Sequence, residues 1–159
     1  MKTLVVYYSR SGNNKKIAEE LAALSLLKAD LDEIIPQKKY SGIFGWLKAG
    51  FHASKDKRIK INVLKNPSDY DLVIIGSPNW AGKLSTPVFS YLQNYKIKKL
   101  ALFSVCGSGD ISKEVAQLEA LGIKPVATLA LKEKEIKENM HHNKVIGFYN
   151  HLRQMKIGK

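Results

Sequence analysis

The sequence has a single cysteine, no long hydrophobic run and comparatively few acidic residues. Cys106 cannot form an intramolecular disulfide, and the sequence shows no Cys and His spacing of the zinc-site kind. No apolar run approaches the roughly 20 residues of a bilayer span, and the apolar start at residues 4–8 is too short for a signal-peptide core. These absences predict a cytoplasmic protein whose fold depends on packing rather than on disulfides.

The low acid content leaves a large positive charge. With 26 Lys and Arg against 14 Asp and Glu, the net charge is +12, which attracts anionic partners of any kind. Half of this excess lies at about residues 37–60, together with Phe44, Trp46 and Phe51. Two interpretations of this basic aromatic insertion stay open. In the first, its apolar residues pack a helix on the sheet. In the second, it binds a surface: it forms a lid over a substrate, docks a partner or, through residues 40–60, contacts an anionic membrane.

Apolar runs and helical periodicities alternate along the chain. Continuous apolar runs predict strands at residues 2–8, 71–76, 99–106 and 124–131, with a weaker strand near residues 31–35. Helical spacing begins at Asn13 and recurs from Val88 to Tyr95, from Val115 to Gly122 and from about residue 144 to 155. The alternation predicts one α/β domain over residues 1–159, with a parallel sheet covered by helices on both faces.

Three of the predicted strands end in small or polar residues. We call them the first loop (residues 9–14), the second loop (residues 78–82) and the third loop (residues 106–110). Their sequences are Ser9-Arg10-Ser11-Gly12-Asn13-Asn14, Pro78-Asn79-Trp80-Ala81-Gly82 and Cys106-Gly107-Ser108-Gly109-Asp110. Ligands of parallel sheets bind at the carboxyl ends of the strands, where the strand order reverses. The three loops are therefore expected to converge on one site.

The residue types of these loops indicate a ligand with a phosphate and an aromatic ring. Hydroxyl and amide side chains that lead into a helix, with Gly12 among them, present backbone N–H groups to an anion. The alternative is an ordinary N-cap formed by Ser11 or Asn13. Trp80 follows a buried strand among small residues, so we expect it to stack on a flat ligand; the alternative is an indole folded back over the helix.

Together the loops resemble the flavodoxin family over nearly the whole chain. The stretch from Tyr8 to Asn14 is similar to the family's phosphate loop S/T-x-S/T-G-N-T, with Asn14 in place of Thr, and the other two loops follow in the family's order. The resemblance implies a three-layer α/β/α sandwich with a five-stranded parallel sheet in the order 2-1-3-4-5. It also implies non-covalently bound FMN, with its phosphate on the first loop, its ring flanked by the second loop with Trp80 as stacking partner, and its pyrimidine side along the third loop.

Two features depart from the family's usual pattern. The family is typically acidic whereas this chain is basic, so we expect an acidic redox partner protein. In the family a glycine after the stacking residue permits a peptide flip that stabilises the one-electron reduced flavin, and here that place holds Ala81. With Ala81 and Gly82 at turn positions i+1 and i+2, the sequence predicts a type II turn and a preference for two-electron chemistry.

An FMN-binding electron-transfer protein is the first functional hypothesis. The alternative within the family is a small FMN-dependent NAD(P)H or quinone oxidoreductase, including the protoporphyrinogen-oxidase-like type, with a small quinone or nicotinamide substrate. A phosphoacceptor receiver domain is excluded because Tyr8-Ser9-Arg10 supplies no acidic pair. A basic nucleic-acid-binding module is the third class, with no specific nucleic acid expected.

The histidines and the cysteine, which could bind a metal or react, are interpreted as structural residues. His141, His142 and His151 lie near the last helix without an apparent third ligand, so no metal site is predicted. Cys106 ends a buried strand and is interpreted as a core residue.

Overall fold

The computed structural model describes residues 1–24, 28–37 and 58–157. For residues 156 and 157 it describes the backbone only. Most of the insertion at residues 37–60, and with it the membrane contact predicted for residues 40–60, lies outside the described residues. The helices are α1 (Asn13–Ala23), α2 (Thr86–Asn94), α3 (Ser112–Ala120), α4 (Glu133–Lys137) and α5 (His142–Ile157), with a 3₁₀ turn at Pro67–Asp69. The strands are β1 (Thr3–Tyr7), β2 (Asp30–Glu33), β3 (Ile35–Pro36), β4 (Ile61–Asn62), β5 (Leu72–Trp80), β6 (Lys83–Leu84), β7 (Leu100–Cys106) and β8 (Ala127–Lys132). In these ranges no helix is both long and apolar enough to span a bilayer.

Five parallel strands form the central sheet in the order β2-β1-β5-β7-β8. Their register aligns Thr3 with Leu72, Val73 with Leu100, and Ala101 with Ala127. The chain moves from β1 to β2 at one side and then to β5 at the other, so the strand order reverses between β1 and β5. The predicted α/β class and the predicted strand order 2-1-3-4-5 are confirmed.

Both faces of the sheet are buried. On one face Val73 and Leu102 belong to a core that includes residues of α2 and α3. On the other face Ile74 lies in a core with Ile17 and Leu21 of α1 and with residues of α5. Full burial of each such aliphatic side chain contributes about 1.5–3 kcal/mol. The continuous apolar runs of the sequence are explained by this double coverage, because no strand face needs polar residues.

β5 is longer than the sequence predicts. The predicted strand ends at residue 76, whereas β5 continues to Trp80 through residues that were expected to form a loop. Two neighbouring strands extend it, because β7 pairs with Ser77 and Pro78 and β6 folds back and pairs antiparallel with Asn79 and Trp80. The small polar residues thereby gain backbone partners. The β3–β4 pair and α4 were also not predicted, since elements of two to five residues carry too few positions for a periodicity.

Candidate functional site

The three loops follow three adjacent parallel strands. β1, β5 and β7 are neighbours in the sheet, so their carboxyl ends lie at the same edge. Tyr8, which precedes the first loop, contacts Trp80 of the second loop, and their rings meet edge to face with centroids 5.5 Å apart. The fold therefore brings the predicted loops to one edge, while their individual contacts with a ligand stay predictions.

Helix α1 begins at the first loop without a side-chain cap. Gly12 is the N-cap residue with φ of 89°, and no side-chain hydrogen bond caps the helix within the part of the chain that the structure describes. Glycine adopts such a positive φ without steric cost. The alternative interpretation, an ordinary N-cap through Ser11 or Asn13, does not hold. The first N–H groups of a helix have no intrahelical partner, so those of α1 are directed toward solvent or an anion.

Two polar side-chain atoms of the first loop are buried without a partner. Ser9 Oγ and Asn14 Oδ1 are shielded from solvent, and neither has a hydrogen-bond partner among the described residues. Such an unsatisfied group costs about 1–3 kcal/mol, and an Asn amide can turn either its oxygen or its NH₂ group toward a ligand. The exposed Arg10 adds a cation to the same loop. This set of donors fits a phosphate group.

The second loop is a tight hairpin. Trp80 pairs with Lys83, so Ala81 and Gly82 are the two central turn residues. Their φ angles are 53° and 78°, which is the combination of a type I′ turn, and the Gly82 N–H donates to Asn79 Oδ1 at 2.9 Å. The predicted type II turn is wrong, because a two-residue loop between antiparallel strands has to match their right-handed twist. The predicted preference for two-electron chemistry loses the structural basis on which it rested.

Trp80 is a core residue. Only 7% of its surface is exposed, and it belongs to the same buried cluster as Tyr8 and Leu84. The indole has a core to enter because β6 and the end of β5 extend the core, which the loop sequence did not reveal. Pro78 and Asn79, which precede it in β5, are half-buried. Stacking of Trp80 on a ligand would require the indole to turn out of the core.

Two side chains shape the third loop from within. Cys106 is buried, as predicted, and its Sγ accepts a hydrogen bond from the Gly109 N–H at 3.2 Å. Asp110 Oδ1 accepts a hydrogen bond from the Ser112 N–H at 2.9 Å, which places a carboxylate at the start of α3. This hydrogen bond holds the pKa of the Asp110 carboxyl below its ordinary value. Hydrogen bonds thereby hold both ends of the loop, and residues 107–108 are exposed at the edge of the sheet.

Two lysines at this edge were not among the predicted site residues. A Cβ placed on Gly82 would lie 3.1 Å from Lys113 Cδ, and one placed on Gly109 would lie 2.9 Å from Lys132 Cε. Both side chains are exposed and make the edge positively charged. Lys132 could have been found from the sequence, because it follows the fifth predicted strand at the same edge. The position of Lys113 depends on how α3 packs beside the second loop.

Comparison with known proteins identifies a family and several similar structures. The family model described as Flavodoxin matches residues 2–145. A flavoprotein from Lactobacillus acidophilus NCFM, solved in complex with FMN, is 26% identical over 86% of this chain and 97% of that chain, with a TM-score of 0.67. A protein from Bacteroides uniformis ATCC 8492, provisionally described as a flavoprotein, is 24% identical over 87% of this chain and 97% of that chain, with a TM-score of 0.73.

More distant structures share the fold alone. The flavodoxin, WrbA-like protein from Agrobacterium tumefaciens is 17% identical over 96% of this chain and 98% of that chain, with a TM-score of 0.52. A comparison with curated protein sequences finds no significant match.

Proposed function

The chain belongs to the flavodoxin family, and on that premise we propose that it binds FMN non-covalently at the carboxyl edge of its sheet and acts as an electron carrier. Bound FMN would supply a ring system that accepts and releases electrons, while the protein supplies binding, orientation and electrostatics. The flavoprotein of Lactobacillus acidophilus that was solved with FMN supports the choice of cofactor.

The observation that carries this proposal is the unsatisfied first loop. Ser9 Oγ and Asn14 Oδ1 are buried without partners, and Gly12 leaves the N-terminus of α1 without a side-chain cap. Each hydrogen bond to an ionised phosphate would contribute about 1.5–3 kcal/mol and would remove the cost of an unsatisfied atom. The residues assigned to the phosphate are Ser9, Arg10, Ser11, Gly12, Asn13 and Asn14.

The second and third loops are assigned to the flavin ring. The hairpin contributes Pro78, Asn79, Ala81 and Gly82, and the third loop contributes residues 106–110. Trp80 supports the hairpin from the core side through its edge-to-face contact with Tyr8, and it becomes a stacking partner only if the indole leaves the core. The type I′ turn and the internal hydrogen bonds of the third loop hold both loops in defined conformations, which lowers the entropy lost on binding.

The physiological partner in this proposal is an acidic redox protein. Arg10, Lys113 and Lys132 are exposed at the edge that carries the loops, and the net charge of the chain is +12. A positive field steers an anionic partner toward this edge and raises the rate of association more than the final affinity.

The same lysines favour a second candidate function, a small FMN-dependent NAD(P)H or quinone oxidoreductase. The diphosphate of a nicotinamide dinucleotide is an anion, and Lys113 and Lys132 lie beside the second and third loops, where a substrate must approach the ring. Charge-assisted hydrogen bonds from lysine to phosphate are among the stronger polar contacts in proteins. The two candidates share the cofactor and differ in whether a small molecule reduces it directly.

The colour of the purified protein tests the cofactor. We expect a yellow preparation that releases FMN on heating, and an apoprotein that quenches the fluorescence of one equivalent of added FMN. A colourless protein that does not bind added FMN would contradict the proposal.

Turnover separates the carrier from the reductase. A carrier that has been loaded with FMN and photoreduced returns its electrons once to an acceptor and does not consume NADH or NADPH. A reductase consumes NADH or NADPH continuously when a quinone is present. The assay uses the intact chain in both cases, so the basic insertion is included.

A further inference from the structure

A cluster of two histidines and a glutamate lies beside α1, away from the three loops. Glu20 belongs to α1, His141 directly precedes α5, and His142 is the first residue of α5. One carboxylate oxygen and one ring nitrogen of each histidine all lie within 4.8 Å of one another. From Asn13 at the first loop to Glu20 is about 10 Å along the axis of α1. The cluster is therefore separate from the proposed FMN site.

We propose that Glu20, His141 and His142 bind a divalent transition-metal ion, with Zn²⁺ as the ion whose ligand preferences fit best. Two imidazoles and one carboxylate are a ligand set that Zn²⁺ accepts, and a water molecule completes the tetrahedron. His141 Nε2 lies 3.0 Å from Glu20 Oε2, and His142 Nδ1 lies 2.8 Å from Glu20 Oε1. Ligand atoms around tetrahedral zinc are about 3.3 Å apart when each bond is about 2.0–2.1 Å, so small side-chain movements suffice.

The other nitrogen of His141 faces a backbone carbonyl oxygen. His141 Nδ1 lies 3.4 Å from the Glu135 carbonyl oxygen. With an ion on Nε2 the ring proton would lie on Nδ1, where this carbonyl can orient it, as outer partners commonly orient metal-binding histidines.

The nearby lysines have other acceptors. Lys16 lies one turn before Glu20 on α1, yet its Nζ donates to Asn139 Oδ1 at 2.7 Å. Lys144 Nζ donates to Glu135 Oε1 at 2.6 Å. The Glu20 carboxylate is thus directed to the two histidines, and the 52% exposed side chain of His142 leaves a path for an ion from solvent. A bound ion would join α1 to α5, two helices that share one face of the sheet.

Zinc titration of the untagged, chelator-treated full chain tests this site. We expect wild-type protein to bind one equivalent of Zn²⁺ by calorimetry, to show the visible absorption of tetrahedral Co²⁺, and to melt at a higher temperature with Zn²⁺. His142→Ala and Glu20→Gln should each bind at least about tenfold more weakly and should lose the thermal shift. His151→Ala is the matched control, because His151 is an exposed histidine of α5 outside the cluster, and it should bind like wild type.

Three results would overturn the site. Wild-type protein that takes up no Zn²⁺ leaves the histidines as hydrogen-bonding residues only. Undiminished binding by both His142→Ala and Glu20→Gln places the ion elsewhere, and an equal loss in His151→Ala does the same. Circular dichroism shows that each variant is folded, and the FMN content of each variant is expected to stay unchanged, so the outcome is independent of the proposed FMN site.

Discussion

The polar atoms of the first loop combine two opposite effects. Burial of Ser9 Oγ and Asn14 Oδ1 without partners lowers the stability of the protein on its own. In the proposed site the same atoms bind the FMN phosphate, so their cost would be recovered when that anion binds. Stability and ligand affinity are therefore expected to change in opposite directions when one of these atoms is removed.

Ser9→Ala is predicted to weaken FMN binding and to stabilise the apoprotein. Loss of one hydrogen bond to a charged group lowers affinity by about 1.5–3 kcal/mol, or about 10- to 150-fold, while removal of the unsatisfied hydroxyl raises the free energy of unfolding by about 1 kcal/mol. FMN titration and urea unfolding of the apoprotein measure the two effects. Ser68→Ala is the control, since the exposed Ser68 hydroxyl donates to the Lys96 carbonyl far from the loop, and its FMN affinity should not change. A Ser9→Ala protein that binds FMN normally and unfolds more easily would contradict the assignment.

Tyrosine ionisation is predicted to destabilise the protein in alkali. Burial and the neighbouring Glu33 raise the pKa of Tyr7 from 10.0 to about 12. Burial and the hydrogen bond to Asp30 raise the pKa of Tyr70 from 10.0 to about 12, and burial raises the pKa of Tyr91. A pKa that is raised in the folded state contributes stability that is full below pH 10 and is lost as the pH rises through 12.

Absorbance at the tyrosinate band and urea unfolding between pH 9 and pH 12 measure this decline. We expect these side chains to ionise late, together with unfolding. Tyr7→Phe removes one of them and should make the loss of stability with pH shallower. Complete ionisation of all tyrosines by pH 11 with an unchanged circular dichroism spectrum would contradict the prediction.

At the scale of elements, the β5–β6 hairpin stores backbone strain at Ala81. The left-handed backbone conformation costs a residue with a Cβ roughly 1–2 kcal/mol of conformational energy. Ala81 adopts it, with φ of 53°. Ala81→Gly is therefore predicted to raise the free energy of unfolding by about 1 kcal/mol, after the greater freedom of glycine in the unfolded chain is subtracted. Ala116→Gly is the matched control, because Ala116 is exposed within α3 and should lose about 1 kcal/mol. Equal destabilisation by both substitutions would show that the turn is not strained.

At the scale of the whole molecule, the proposal of an acidic redox partner rests on the positive charge of the chain. The reduced protein is predicted to react faster with an anionic oxidant such as ferricyanide than with a cationic one of similar potential. Salt should slow the first reaction and accelerate the second. It screens the attraction of the anionic oxidant and the repulsion of the cationic one, with a Debye length of about 8 Å at 0.15 M. Stopped-flow rates over a range of ionic strength measure the effect, and rates that do not depend on salt would contradict it.

Lysine variants locate the docking edge within this field. Lys113→Gln and Lys132→Gln should each slow the reaction with the anionic oxidant about twofold at low salt, since each removes a charge beside the loops. Lys96→Gln removes an exposed charge from the opposite edge, before the start of β7, and should have a smaller effect. An equal effect of all three would mean that net charge alone governs the rate.

Most of the fold could be predicted from the sequence because its elements are encoded locally. Continuous apolar runs mark β1, β5, β7 and β8, and helical spacing marks α1 and α2, within a few residues of the observed bounds. Loop composition located the edge at which β1, β5 and β7 end. Boundaries were wrong where pairing with another strand decided them, as at β5, which β6 extends to Trp80.

By itself the sequence determined the α/β class, the flavodoxin resemblance and the positive charge, because each depends on neighbouring residues or on composition. Tertiary structure alone decided that Trp80 is buried against Tyr8, that Ala81 takes a positive φ, and that Lys132 reaches Gly109. It also decided that Glu20 meets His141, 121 positions along the chain. The φ of Ala81 depends on the pairing of β5 with β6. The other features join residues far apart in sequence, which share no local pattern that could reveal their contact.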